Sequence, residues 1–229
     1  MQYKQEISRL YNLSEDSQGF HDQVIAELEG RLGIKLPNAL KNYYVTLGKH
    51  ENLNYAYNRL LLPDDEVGFS KDRYLLFFEE YQAVVSWGIK ETDLQYENPP
   101  VWGNSGTDDE PDWYLEADTT EKFLLLMAIY NGTLGGLPYN ANCLEPIDSE
   151  IVKMIKQNWT FVPDVSYDRQ QVYTDGFYEV ISLSFDEGEN CTGVFIGTSD
   201  QERFDGLLDR IAIDWSYTSY EDEDWDEEE

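Results

Sequence analysis

The sequence is short of positive charge. Its 229 residues hold only 16 Lys and Arg against 46 Asp and Glu, a net charge of −30. Such a surface repels phosphate backbones and anionic bilayers, so neither direct nucleic-acid binding nor membrane-surface binding is expected. Histidine is almost absent: His21 and His50 are the only two, and neither has Cys or His neighbours at zinc-ligand spacing. The two cysteines, Cys143 and Cys191, make neither a disulfide framework nor a Cys-x-x-Cys motif. The longest apolar run, Phe123–Tyr130, falls well short of the ~20 residues of a membrane span. Met1–Asn12 shows no apolar segment of the secretory type, so the expected compartment is a reducing cytoplasm.

Motifs of catalysis are missing too. Gly103-Asn-Ser-Gly106-Thr107 departs from Gly-x-Ser-x-Gly at its fifth residue, and Gly132-Thr-Leu-Gly-Gly136 lacks the lysine of a phosphate loop. An EF-hand frame ending on Glu116 puts Glu110 where glycine is required. Adjacent carboxylates such as Asp64-Asp65 and Glu79-Glu80 are unremarkable in a chain this acidic. No enzyme activity, metal or cofactor is expected.

What is present is material for a core: 6 Trp, 17 Tyr and 10 Phe, with apolar residues at 41%. That content argues against a disordered chain. Phe20, Val24, Ile25, Leu28 and Leu32 recur at helical spacing, Gly33 supplies a left-handed C-cap, and Pro37 stops continuation. Leu40, Tyr43, Tyr44 and Leu47 form a second stripe. Gly19–Leu47 therefore reads as helix, corner, helix, with a weaker helix near Ile7 and Leu10 before it.

Arg59–Leu62, Tyr74–Glu80, Ala83–Ile89 and Trp113–Ala117 read as strands, with Asn98–Asp112 as a loop. Asp118 and Glu121 suggest a capping box opening a helix whose body, Phe123–Tyr130, is apolar all round. Asp148–Asn158 reads as a further helix. Ile181–Phe185 and Cys191–Thr198 read as a hairpin, and Ser199 and Glu202 as the capping box of a last helix followed by a strand at Ile211–Trp215.

This order fits one α+β domain over residues 1–220, a mostly antiparallel sheet packed by helices. Residues 221–229, eight acids and Trp225, read as a disordered acidic tail.

The stretch Ile25-Ala-Glu-Leu-Glu29-Gly-Arg-Leu-Gly33-Ile-Lys-Leu-Pro37-Asn-Ala-Leu-Lys-Asn-Tyr-Tyr44 resembles the opening signature of the SUKH superfamily: an acid, Leu-Gly, Leu-Pro and an aromatic-bearing helix. That superfamily joins a fungal cell-wall regulator family to many bacterial immunity proteins. Leu76-Phe-Phe-Glu-Glu-Tyr-Gln82-Ala-Val-Val-Ser-Trp87 resembles its central hairpin, with Tyr81 and Ala83 in place of the usual Asn and Gly. Asn98-Pro-Pro-Val-Trp102 and the helix Thr119–Tyr130 follow in order. The resemblance spans about residues 20–145, leaving 146–220 as a β-rich extension. It implies a SUKH-like fold and a non-catalytic role as an antidote that binds a cognate basic toxin, often a nuclease. A regulatory scaffold or interaction protein without a toxin partner is the alternative, and an enzyme acting on a cationic substrate is the third reading.

The charge suits that role independently, because an acidic inhibitor is attracted to a basic groove. The candidate contact residues are Glu79, Glu80, Gln82, Trp102, Asp108, Asp109 and Asp112. The carboxylates would pair with Lys and Arg of the partner, and Trp102, in the Pro-rich loop, would be an apolar anchor.

Overall fold

A computed structural model describes residues 2–14, 18–107 and 109–220. Asp108 and the tail 221–229, both subjects of expectations above, lie outside the described residues. The chain divides into two compact units, one of Ser14–Met127 and one joining Met1–Leu13 to Ala128–Glu229. The fold is mixed α+β with antiparallel pairing throughout. The strands form two sheets rather than the one expected.

The first helix, α1 (Gln2–Leu10), belongs to the second unit. In the first unit, α2 (Asp22–Leu32) ends on Gly33 at φ 67°, the left-handed conformation only glycine adopts freely. Pro37 then leads into α3 (Asn38–Leu47), and the short α4 (Glu51–Asn54) follows. The acid of the opening signature has a mechanical role here. Glu29 is 4% exposed, accepts from the Leu36 amide at 3.0 Å and pairs with Lys35 at 2.9 Å. Burial opposes its charge, but Lys35, the Leu36 amide and Lys41 outweigh this and hold the carboxyl below the usual range. The two tyrosines of α3 are fully buried and satisfied, Tyr43 donating to Asn54 Oδ1 at 2.7 Å and Tyr44 to the Leu61 carbonyl at 2.8 Å.

The first sheet contains β1 (Arg59–Leu60), β2 (Gly68–Phe69), β3 (Tyr74–Glu79), β4 (Ser86–Lys90), β5 (Val101–Asn104) and β6 (Trp113–Ala117). Its order is β1-β3-β4-β5-β6, with β2 also on β3. One face closes on Phe123, which meets Phe77, Phe78 and Trp87 with ring centroids 5.5–5.7 Å apart. Phe123 opens α5 (Thr120–Asn131), and Phe123–Ile129 are each at most 4% exposed, as an all-round apolar helix requires. Thr119, not Asp118, caps it, its hydroxyl accepting from the Lys122 amide at 3.3 Å; Asp118 instead pairs with Lys122.

Two expectations fail in this unit. Residues 98–112 are not all loop, because Val101–Asn104 pairs on both sides as β5. The Pro pair ends just before it, so Val101 and Trp102, good strand formers, are free to join the sheet. The strand expected from Ala83 also begins only at Ser86, after the short turn at Tyr81-Gln82, which the Ala83 amide closes by donating to the Glu80 carbonyl at 2.8 Å.

The second sheet has the order β12-β7-β11-β10-β9-β8. Its strands and helices are β7 (Tyr139–Cys143), α6 (Ser149–Asn158), β8 (Thr160–Phe161), β9 (Gln170–Thr174), β10 (Glu179–Phe185), β11 (Cys191–Thr198), α7 (Gln201–Arg210) and β12 (Tyr217–Thr218). Ile181, Leu183, Val194 and Ile196 line one face and pack with Ile155, Phe204 and Leu207. Asp200 caps α7 by accepting from the Arg203 amide, one residue beyond the expected Ser199. The expected strand at Ile211–Trp215 is absent. Its isoleucines serve the core as irregular chain, and pairing begins only where the Ser216 amide meets the Asn142 carbonyl.

Candidate interaction surface

The face of the first sheet opposite Phe123 carries a ring cluster. Tyr74 stacks on Trp113 at 3.6 Å and meets Trp102 edge-on at 6.5 Å. Lys90 Nζ lies 3.6 Å from the Trp102 ring centroid, an aromatic-held cation in an otherwise acidic molecule. Trp113 Nε1 donates to Asp72 at 2.5 Å, whereas the buried Trp102 Nε1 has no acceptor among the described residues. The expectation that Trp102 stands free on a loop is therefore corrected. It is a half-buried sheet residue, aligned with Gly88 on one side and Leu115 on the other.

Register places Glu79, Ser86, Asn104 and Trp113 in one row. The turn bearing Glu80 and Gln82 and the loop ending on Asp112 both leave the sheet from this row. The carboxylates differ in how free they are. Glu79 accepts from Arg59 Nε at 2.5 Å, and the same guanidinium forks onto Glu66 at 2.8 and 3.0 Å. Burial opposes charge at Glu66, but the Leu62 amide and Arg59 hold its carboxyl below the usual range. Glu79 thus braces β1 against β3. Glu80 closes its own turn, accepting from the Gln82 amide at 2.8 Å, while Gln82 itself is exposed. Asp109 is 88% exposed and pairs with Lys71 at 2.8 Å. Asp112 is exposed; its carboxylate accepts from the Ser105 hydroxyl at 3.4 Å and its amide donates to Asn104 Oδ1 at 2.8 Å.

Sequence reasoning missed the apolar part of this surface. Tyr81 is 72% exposed and stacks on Tyr57 at 6.2 Å, and Val84 is 59% exposed. The signal was present: a tyrosine and a valine in a turn where small polar residues are the rule. Exposed aromatics beside carboxylates are what a desolvating contact with a cationic surface uses.

The titratable candidates elsewhere have structural roles. His50 Nδ1 accepts from the Leu53 amide at 3.2 Å and caps α4; burial pushes its pKa down. Cys143 and Cys191 are buried within the second sheet's core, and burial pushes the Cys191 thiol up, away from the reactive thiolate. Among the described residues no group of three or more His, Cys, Asp or Glu could hold a metal ion, and no helix is long and apolar enough to cross a membrane.

No family model matches the chain, and comparison with curated proteins and with solved structures returns no similar protein.

Proposed function

We propose that this chain is an immunity protein that binds and neutralises a cognate basic toxin without catalysis. The observation that carries the reading is the β3–β4 turn, where Tyr81 and Val84 stand exposed beside Glu80 and Gln82 on a molecule of net charge −30. Long-range attraction would gather the partner, and the apolar tip would hold it. A nuclease fits this chemistry best, because its substrate groove must be basic. The likeness of Glu29, Leu32-Gly33, Leu36-Pro37 and Tyr43-Tyr44 to the SUKH signature supports the same role, acting in the cytoplasm.

The test is co-expression with a basic toxin encoded beside this chain, scoring survival, together with association kinetics at rising salt. Protection should accompany an on-rate that falls steeply between 0.1 M and 1 M salt, where the Debye length shrinks from about 10 Å to about 3 Å. Failure to protect, or a salt-insensitive on-rate, counts against the reading.

A further inference from the structure

The second unit holds a cavity of about 410 Å³ between the end of α1 and the start of α7. Two of the chain's few arginines, Arg9 and Arg203, line it. Arg203 is fixed in place. Its Nη1 donates to Asp175 and to Glu179, each at 3.0 Å, and its Cζ lies 5.0 Å from the Tyr178 ring centroid. Glu179 is itself buried and accepts from Trp159 Nε1 at 2.6 Å. These bonds engage one guanidinium nitrogen only. Nε and Nη2 form the edge with which an arginine holds a carboxylate by two parallel bonds. Among the described residues that edge has no acceptor, and Arg9 has no ion pair, although acids outnumber bases 46 to 16.

The guanidiniums call for a carboxylate, and the rest of the molecule restricts what can carry it. A net charge of −30 repels a free anion. Asp200 stands on the same wall, exposed, with Oδ1 taken up by the Arg203 amide at 3.0 Å. A ligand with an ammonium beside its carboxylate is neutral overall and can pair with Asp200 as well as with the arginines. Tyr178, 49% exposed, and Leu13 give the cavity an apolar side, and Ser8 and Ser199 add hydroxyls. Apolar walls with a few convergent polar groups are the usual make-up of a small-molecule site.

We infer that this cavity is a binding site for a zwitterionic amino acid with an apolar side chain. The carboxylate lies between Arg9 and the free edge of Arg203, the ammonium beside Asp200, and the side chain against Tyr178 and Leu13. Arg9 belongs to α1 and Arg203 to α7. The ligand therefore fastens two helices that are distant in sequence and stabilises their unit by mass action. The site does not depend on a toxin partner.

The test is calorimetric titration of the full chain with L-phenylalanine and L-leucine, with phenethylamine and 3-phenylpropionate as probes that each lack one charge. At least one amino acid should bind saturably by millimolar concentration and raise Tm, and each single-charge probe should bind about tenfold more weakly or worse. Arg9→Gln alters an exposed side chain and should leave Tm unchanged while weakening the amino acid about tenfold. Asp200→Asn keeps a good cap for α7 and should weaken the amino acid but not 3-phenylpropionate. No saturable binding of either amino acid, equal binding of phenethylamine, or an amino-acid affinity unchanged in either variant overturns the site.

Discussion

The carboxylate of Glu29 accepts the backbone amide of Leu36 at 3.0 Å across the corner between α2 and α3. Leu36 is itself 5% exposed. The Leu-Gly and Leu-Pro pairs of the corner therefore depend on an acid seven residues before Leu36. Glu29→Ala leaves a buried amide without an acceptor and should cost about 1–3 kcal/mol in urea unfolding. Glu29→Gln keeps an acceptor and should cost less. Equal effects of the two would mean the amide bond is not what Glu29 contributes.

The pH dependence at this site has a definite sign. The folded pKa of Glu29 is depressed, so its contribution is complete above the ordinary glutamate value of about 4.3 and is lost as pH falls through the lower folded value. The stability difference between wild type and Glu29→Gln should be constant near neutrality and shrink in acid. His50 acts in the same direction at higher pH. Its folded pKa is lowered, so below about 6.5 the unfolded state takes up more protons and stability drops. Urea midpoints of His50→Asn, which keeps an acceptor at the cap, should lose that part of the slope.

Ala83 lies in the β3–β4 turn at φ 56°, a left-handed conformation that costs a side chain with a Cβ. Ala83→Gly should raise stability by about 1 kcal/mol, read as a higher denaturation midpoint at unchanged m. A lower midpoint would show that the extra freedom of glycine in the unfolded chain dominates.

Tyr81 and Trp102 should separate cleanly. Tyr81→Ala removes a side chain that is 72% exposed and should change folding stability by less than about 0.5 kcal/mol while speeding partner dissociation. Trp102→Ala strips the ring under Lys90 and beside Tyr74 and should destabilise by about 2 kcal/mol or more. A thermal melt together with a dissociation rate for each variant checks both.

Elements with strong periodicity were legible in the sequence. Ile25, Leu28 and Leu32 marked α2, and Ile181, Leu183 and Phe185 marked the β10–β11 hairpin. β7 was not, because Tyr-Asn-Ala-Asn-Cys is a poor strand by composition. It is made a strand by pairing with β11 and β12 on its two sides. The candidate surface was legible as residue types but not as partners. Glu79 is neutralised by Arg59 from 20 residues away, and Asp109 meets Lys71 across 38. Such pairings arise from tertiary approach, which no local spacing encodes.

The hydroxyl of Tyr11, just after α1, donates to the Ala128 carbonyl, 117 residues further on. Residues 14–127 are thus an insertion between two parts of the other unit. On a translating ribosome this insertion has all its own strands and can fold as it emerges. α1 is made before this insertion, whereas the rest of its unit, from Ala128 on, is made only after it. Its unit is therefore completed only after the whole insertion has been made, and that interval is when the nascent protein is open to chaperones and to misassociation.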